Sequence, residues 1–84
     1  MVTIKFFSLV REALGEHEFA MSLPQEGMTI WALKEYLVAS KGEHWREVLF
    51  QPNIVHALDH HVVDVQTPVR DGVELAFFPP MTGG

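Results

Sequence analysis

Residues 29–41, TIWALKEYLVASK, restrict this chain more than any other stretch. Ile30, Leu33 and Leu37 fall on one stripe at helical spacing, with Trp31 and Val38 near its edges, so one side of a helix here needs an apolar cover. Thr29 is placed to cap the first turn through its hydroxyl, and Gly42 predicts a left-handed stop. A chain of 84 residues has room for a single core. The cover must therefore come from the short segments on either side.

Those segments alternate. VTIKFFSLV, residues 2–10, predicts a strand with Val2, Ile4, Phe6 and Val10 toward the core and Thr3, Lys5, Phe7 and Leu9 on the other face. Arg11 to Gly15 reads as a connection that turns at the glycine. HEFAMSL, residues 17–23, predicts a second strand, in which Phe19, Met21 and Leu23 alternate with Ala20 and Ser22 before Pro24–Gly27 breaks the pattern. HWREVLF, residues 44–50, predicts a short helix that packs Trp45 onto the sheet and ends at Gln51-Pro52-Asn53. Residues 53–65 give two short strands meeting at Asp59-His60, although a tight hairpin turn prefers glycine second. Thr67-Pro68 and Asp71-Gly72 mark further turns. VELAFF, residues 73–78, is a last strand with Val73, Leu75 and Phe77 on one face and Glu74, Ala76 and Phe78 on the other. The expected architecture is α+β, one main helix across a mixed sheet of four or five strands. Parallel pairing of the first and last strands would call for a right-handed crossover. The domain is expected over 1–78, followed by an extended tail, 79–84.

Several functions are disfavoured. The chain has no cysteine, so it can hold no disulfide, thiolate metal site or cysteine nucleophile. The net charge is −5 with six scattered bases, which gives no basic stripe for nucleic acid. No apolar run approaches the roughly 20 residues of a membrane span. No signal peptide is read at the N-terminus, so the cytoplasm is the default expectation. The histidines at 17, 44, 56, 60 and 61 lack a completing carboxylate or thiolate cluster, and no metal site is expected. Met21, Met28 and Trp31 read as core filling. Ser8 and Ser40 have no recognisable base and orienting acid, and no glycine-rich phosphate loop is present.

Two features remain. Phe7 and Phe78 lie on the non-core faces of the first and last strands, so neighbouring strands would put both rings on one open side, as a partner surface does. The chain then ends FFPPMTGG. Pro79 and Pro80 direct the exit because they fix φ and donate no amide. Gly83 and Gly84 lack a Cβ and can enter a narrow slot. Taken alone, a double-glycine end is equally a plain frayed terminus or a trimmed linker.

The segment PVRDGVELAFFPPMTGG, residues 68–84, resembles the C-terminal segment of the MoaD-type sulfur carriers, the small subunits of molybdopterin synthase, which have a ubiquitin-like β-grasp fold. FF at 6–7 with VRE at 10–12, the Thr-led helix TIWALKEYL and the hairpin region ALDHHVV are similar to the same family. Val73 stands where the family commonly has an acid, Asp59 where it has asparagine, and Met81 where valine is common. The resemblance implies that the chain is not catalytic alone and binds no cofactor. An E1-like (MoeB-type) adenylating enzyme would use ATP to activate Gly84, and a sulfur donor protein would convert the adenylate to a thiocarboxylate. The tail, with Thr82 and Gly83 threading a slot and Pro79 and Pro80 aiming it, would then enter the MoaE-type large subunit. There it would give sulfur to cyclic pyranopterin monophosphate, in a hetero-tetramer whose active site lies on the large subunit. Phe7, Arg11 and Phe78 resemble family interface positions, Arg11 being expected to pair with an acid on the large subunit, and Val62 would extend the apolar patch. The alternatives are a carrier for thiamine or tRNA thiolation, or a protein modifier joined to lysine through Gly84.

Overall fold

The sheet is built around the C-terminal strand. A computed structural model describes residues 1–80, and in it β1 (Val2–Phe6), β2 (Glu18–Met21), β3 (Val55–Leu58), β4 (His61–Val63) and β5 (Glu74–Phe78) form one sheet in the order β2-β1-β5-β3-β4. β1 runs parallel to β5, and the other neighbours are antiparallel. Three helices accompany it: α1 (Ser8–Leu14), α2 (Ile30–Lys41) and α3 (His44–Leu49). The α+β class, the five-stranded mixed sheet and the parallel first and last strands agree with the sequence reading.

The alternation read from the sequence decides which face is covered. Val2, Ile4, Phe6, Leu75 and Phe77 are fully buried with Ile30, Leu33, Leu37 and Val38 of α2. Trp45 of α3 stands edge-on to Phe6, with ring centroids 5.5 Å apart. Trp31 departs from the core-filling expectation: it is exposed and sets its edge against Phe50 at 4.7 Å.

Residues 8–14 do not continue the first strand, and 11–15 are not a plain connection. Both expectations give way to α1. Over so short a run, Val10 with Leu14 fits a helix at i and i+4 as well as Val10 fits a strand, and Leu, Arg, Glu and Ala favour the helix. Val10 and Leu14 are buried from the helix, and Gly15 closes it in the left-handed conformation, φ 71°, ψ 16°.

α2 begins as its sequence predicts. The amides of Ile30, Trp31 and Ala32, which have no partner within the helix, all find acceptors, and Leu33 makes the first intrahelical bond. Ile30 and Trp31 donate to the Thr67 and Val65 carbonyls (both 3.0 Å), Ala32 to Thr29 Oγ1 (3.1 Å) and Leu33 to the Thr29 carbonyl (3.0 Å). Its end differs in detail. Gly42 takes φ 126°, ψ 154° rather than the left-handed helical conformation, and a Cβ there would sit 2.9 Å from the His44 ring.

The β3–β4 hairpin forms without glycine. Asp59 and His60 adopt φ 45° and 71°, which costs L-residues about 1–2 kcal/mol each. The cost is offset from outside the turn: the Asp59 amide donates to the Glu74 carbonyl, and the Glu74 amide donates to Asp59 Oδ1, both at 2.9 Å.

Candidate functional site

The face of the sheet opposite α2 carries a row that the register sets across four strands: Lys5, Ala76, Ala57 and Val62. Two alanines at the centre leave a floor without bulk. Around it Lys5, Phe7, Ala57, His60, Val62, Glu74, Ala76 and Phe78 enclose a hollow of about 260 Å³. Val62 is 76% exposed at its edge.

Phe7 lies one residue beyond β1, where the parallel ladder still reaches it through its amide and the Phe77 carbonyl (3.1 Å). Its ring stacks on Phe78, with centroids 4.6 Å apart and planes 5° from parallel. The expectation that the two rings share one open side therefore holds. Ser8, with φ 52°, then swings the chain off the sheet into α1. Arg11 sits one helical turn after Phe7, exposed, its amide bonded to the Phe7 carbonyl at 3.4 Å. It lines neither the hollow nor the groove beside the prolines.

The polar end of the hollow was not singled out from the sequence. Glu74 pairs with Lys5 at 3.1 Å and lies 3.9 Å from His60 Nε2. The signal was available, because Lys5 shares its face with Phe7, and Glu74 and Ala76 share theirs with Phe78. Pro79 and Pro80 are half-buried and line a groove with residues of α1 and α3. Thr82, Gly83 and Gly84, to which threading and acyl activation were assigned, lie outside the described residues.

The covered side holds a different polar pair. Lys34 of α2 is 2% exposed and His56 of β3 is 5% exposed. Lys34 Nζ lies 3.0 Å from His56 Nε2 and 4.4 Å from the centroid of the Phe50 ring. Among the described residues no carboxylate lies within ion-pair reach of Lys34. Burial lowers the Lys34 pKa from 10.5 to about 8. Burial, then the Lys34 charge, lowers that of His56 from 6.5 to about 4. At neutral pH the ammonium thus donates to a neutral imidazole whose proton sits on Nδ1. His56 lies on β3 and His60 in the turn that follows it, so the two share no helix face, as expected, but they do not straddle the hairpin. Among the described residues no three His, Cys, Asp or Glu side chains group to hold a metal, and no helix is long and apolar enough to cross a membrane.

Comparison with known proteins places this arrangement. The ThiS family model matches residues 4–84. The molybdopterin synthase sulfur carrier subunit of Haemophilus influenzae is 34% identical over 84 residues, covering 100% of each chain. SAMP1 from Haloferax volcanii shares the fold at a TM-score of 0.80 and 20% identity, over 99% of this chain and 98% of that one. A complex of subunits 1 and 2 of the molybdopterin-converting factor from Helicobacter pylori contains a chain similar at TM-score 0.64 and 25% identity, over 99% and 97% of the two chains. The β-grasp expectation agrees with these neighbours. From its first strand to its last residue, the chain belongs to the ThiS family, on the MoaD-type branch.

Proposed function

We propose that this chain is the sulfur carrier subunit of a molybdopterin synthase. The observation that carries the reading is the stacked Phe7–Phe78 pair, half-exposed at the ends of two parallel strands and leading directly into Pro79-Pro80. It supports a domain that presents one apolar face and, beside it, a chain end to another protein. The full-length likeness to a named sulfur carrier subunit supports the same role.

A carboxylate resists nucleophiles because of its charge. An E1-like enzyme removes that obstacle by joining the Gly84 carboxylate to AMP from ATP, which releases pyrophosphate. Sulfide supplied by a sulfur donor protein attacks the adenylate carbonyl and expels AMP, which leaves a thiocarboxylate on Gly84. The chain needs no thiol of its own, because the reactive sulfur is installed on the terminal carbonyl. Gly83 and Thr82 pass through the slot of the large subunit, Pro79 and Pro80 aim the segment, and Phe7, Arg11, Val62 and Phe78 meet the body of that subunit. Sulfur goes to cyclic pyranopterin monophosphate within a hetero-tetramer, in the cytoplasm. Pocket, ATP site and acid–base groups belong to the partners.

The test is intact-mass spectrometry after incubation with the cognate adenylating enzyme, ATP and a sulfur source. One terminal oxygen replaced by sulfur is expected, and deletion of Gly84 should abolish the change while leaving the circular-dichroism spectrum intact. An unchanged mass with an active partner pair would reject the carrier role. Gly84-dependent conjugates on lysine, in place of the thiocarboxylate, would make the chain a protein modifier.

A further inference from the structure

The segment that leaves the sheet lines two apolar surfaces in succession. Phe78 borders the hollow on the open face, and the next two residues, Pro79 and Pro80, border a separate groove of about 430 Å³. Its other walls are Leu9 and Ala13 of α1, Glu47 and Val48 of α3, and Gln51. Leu9 and Ala13 are four apart and share one side of α1, while Val10 and Leu14 are buried in the core. Leu9 is 68% exposed, so it adds little to the fold where it stands. Gln51 is fixed at the opposite wall by donating to the Val48 carbonyl at 3.0 Å. Glu47 is the one charged side chain of the lining, and among the described residues it has no ion-pair partner.

We propose that this groove is a second docking site for the large subunit that receives the tail, taking from it an apolar side chain flanked by a lysine or arginine. The proposal rests on the carrier reading above. Its first support is continuity, since consecutive residues of one segment wall both the aromatic hollow and the groove. A protein that grips the segment as it leaves Phe78 reaches Leu9 and Val48 without a separate approach. Its second support is charge: an apolar cleft edged by an unpaired carboxylate selects a basic-apolar segment, because covering Glu47 with anything else leaves a desolvated charge without a partner. The aromatic face then supplies the broad contact, and the groove supplies discrimination between large subunits.

The experiment uses the full chain and the purified cognate large subunit in titration calorimetry, with Leu9→Ser, Glu47→Lys and, as reference, Phe7→Ser. Leu9→Ser and Glu47→Lys should each weaken binding by about ten-fold. Glu47→Lys should also flatten the dependence of affinity on salt. Melting curves of both variants should match the wild type, because the two positions are exposed. A benzoylphenylalanine at position 9 should crosslink to the large subunit. If Phe7→Ser weakens binding while Leu9→Ser and Glu47→Lys bind like the wild type, the groove proposal falls and the carrier reading stands. If the wild-type chain does not bind the large subunit at all, both fall. If the two variants bind it normally but are adenylated more slowly, the groove belongs to the activating enzyme and the proposal is overturned. Crosslinking of position 9 to another copy of this chain, or to its own last residues, overturns it as well.

Discussion

Phe6 and Phe7 are neighbours in the chain, as are Phe77 and Phe78, and each residue stacks on its counterpart across the β1–β5 seam. The inner rings lie 5.6 Å apart at 16° and have no exposure, whereas the outer rings lie 4.6 Å apart at 5° and remain half-exposed. The same side chain, repeated once, thus serves two ends. On the α2 side the ring is one of many that fill a volume, held by Trp45 and Phe19 as well. On the open side it has one ring beside it and the solvent in front. Aromatic stacking is common to both pairs, so it cannot be what separates a fold-determining residue from a contact residue. The difference is whether a second layer covers the ring.

The sharpest way to break the contrast is to truncate one ring of each pair. Phe6→Ala should cost about 3–5 kcal/mol in chemical denaturation, because the space cannot collapse around a fully buried ring. Equal losses for Phe6→Ala and Phe7→Ala would abolish the distinction.

Acid tests the covered side through its buried titratable pair. An unfolded His56 takes its proton near pH 6.5 and the folded one near 4, so stability present above pH 6.5 is lost as the pH falls toward 4. The loss reaches about 3 kcal/mol at 1.36 kcal/mol for each pKa unit. Lys34 acts with the same sign higher up, and stability should rise between pH 8 and 10.5. Urea midpoints from pH 4 up to 10.5, with an NMR titration of the His56 ring, check this; a His56 that titrates near 6.5 would contradict it.

Phe7→Ser sharpens the contrast from the other side. It should leave stability within about 1 kcal/mol of wild type yet weaken association with the large subunit by about thirty-fold, as removal of an interface anchor does. Chemical denaturation of the chain alone gives the first number, and titration calorimetry on the pair gives the second. His60→Gly should stabilise the hairpin by about 1 kcal/mol, by relieving the φ of 71°. Smallest of all, Lys5→Ala should change the melting behaviour by less than about 1 kcal/mol, because the partly exposed Lys5–Glu74 pair is screened by solvent.

Much of this was legible in the residues. The period-two alternation of VELAFF and the Thr-led stripe of α2 were enough for the two-layer arrangement, and parity alone put Phe7 and Phe78 on one side. The first helix was not read, because residues 2–10 follow an extended period as far as Val10 with Ser8 as the one interruption, and the helical partner Leu14 lies beyond the window that looked like a strand. The hairpin at Asp59-His60 lacked its glycine because the turn is secured by Glu74, a residue 15 positions away. Lys34 and His56 could not be paired from sequence, since they are 22 residues apart and meet only when α2 packs on β3. On the open face, Lys5, Ala76 and Glu74 were placed correctly by alternation but had no signal of their own, because an alanine and a salt bridge are ordinary on any sheet surface, and Ala57 was given no face.

The placement of β5 has a mechanical consequence. It is the middle strand of five, bonded to β1 on one flank and β3 on the other, and the C-terminal segment is its direct continuation. A pull on that segment acts along the strand, across hydrogen bonds that lie athwart it, and loads both ladders in shear at once. An edge strand would instead peel, one bond at a time. The domain is therefore anchored to withstand traction on its own end, so that dragging the last residues out of a tight channel should free them before the sheet comes apart.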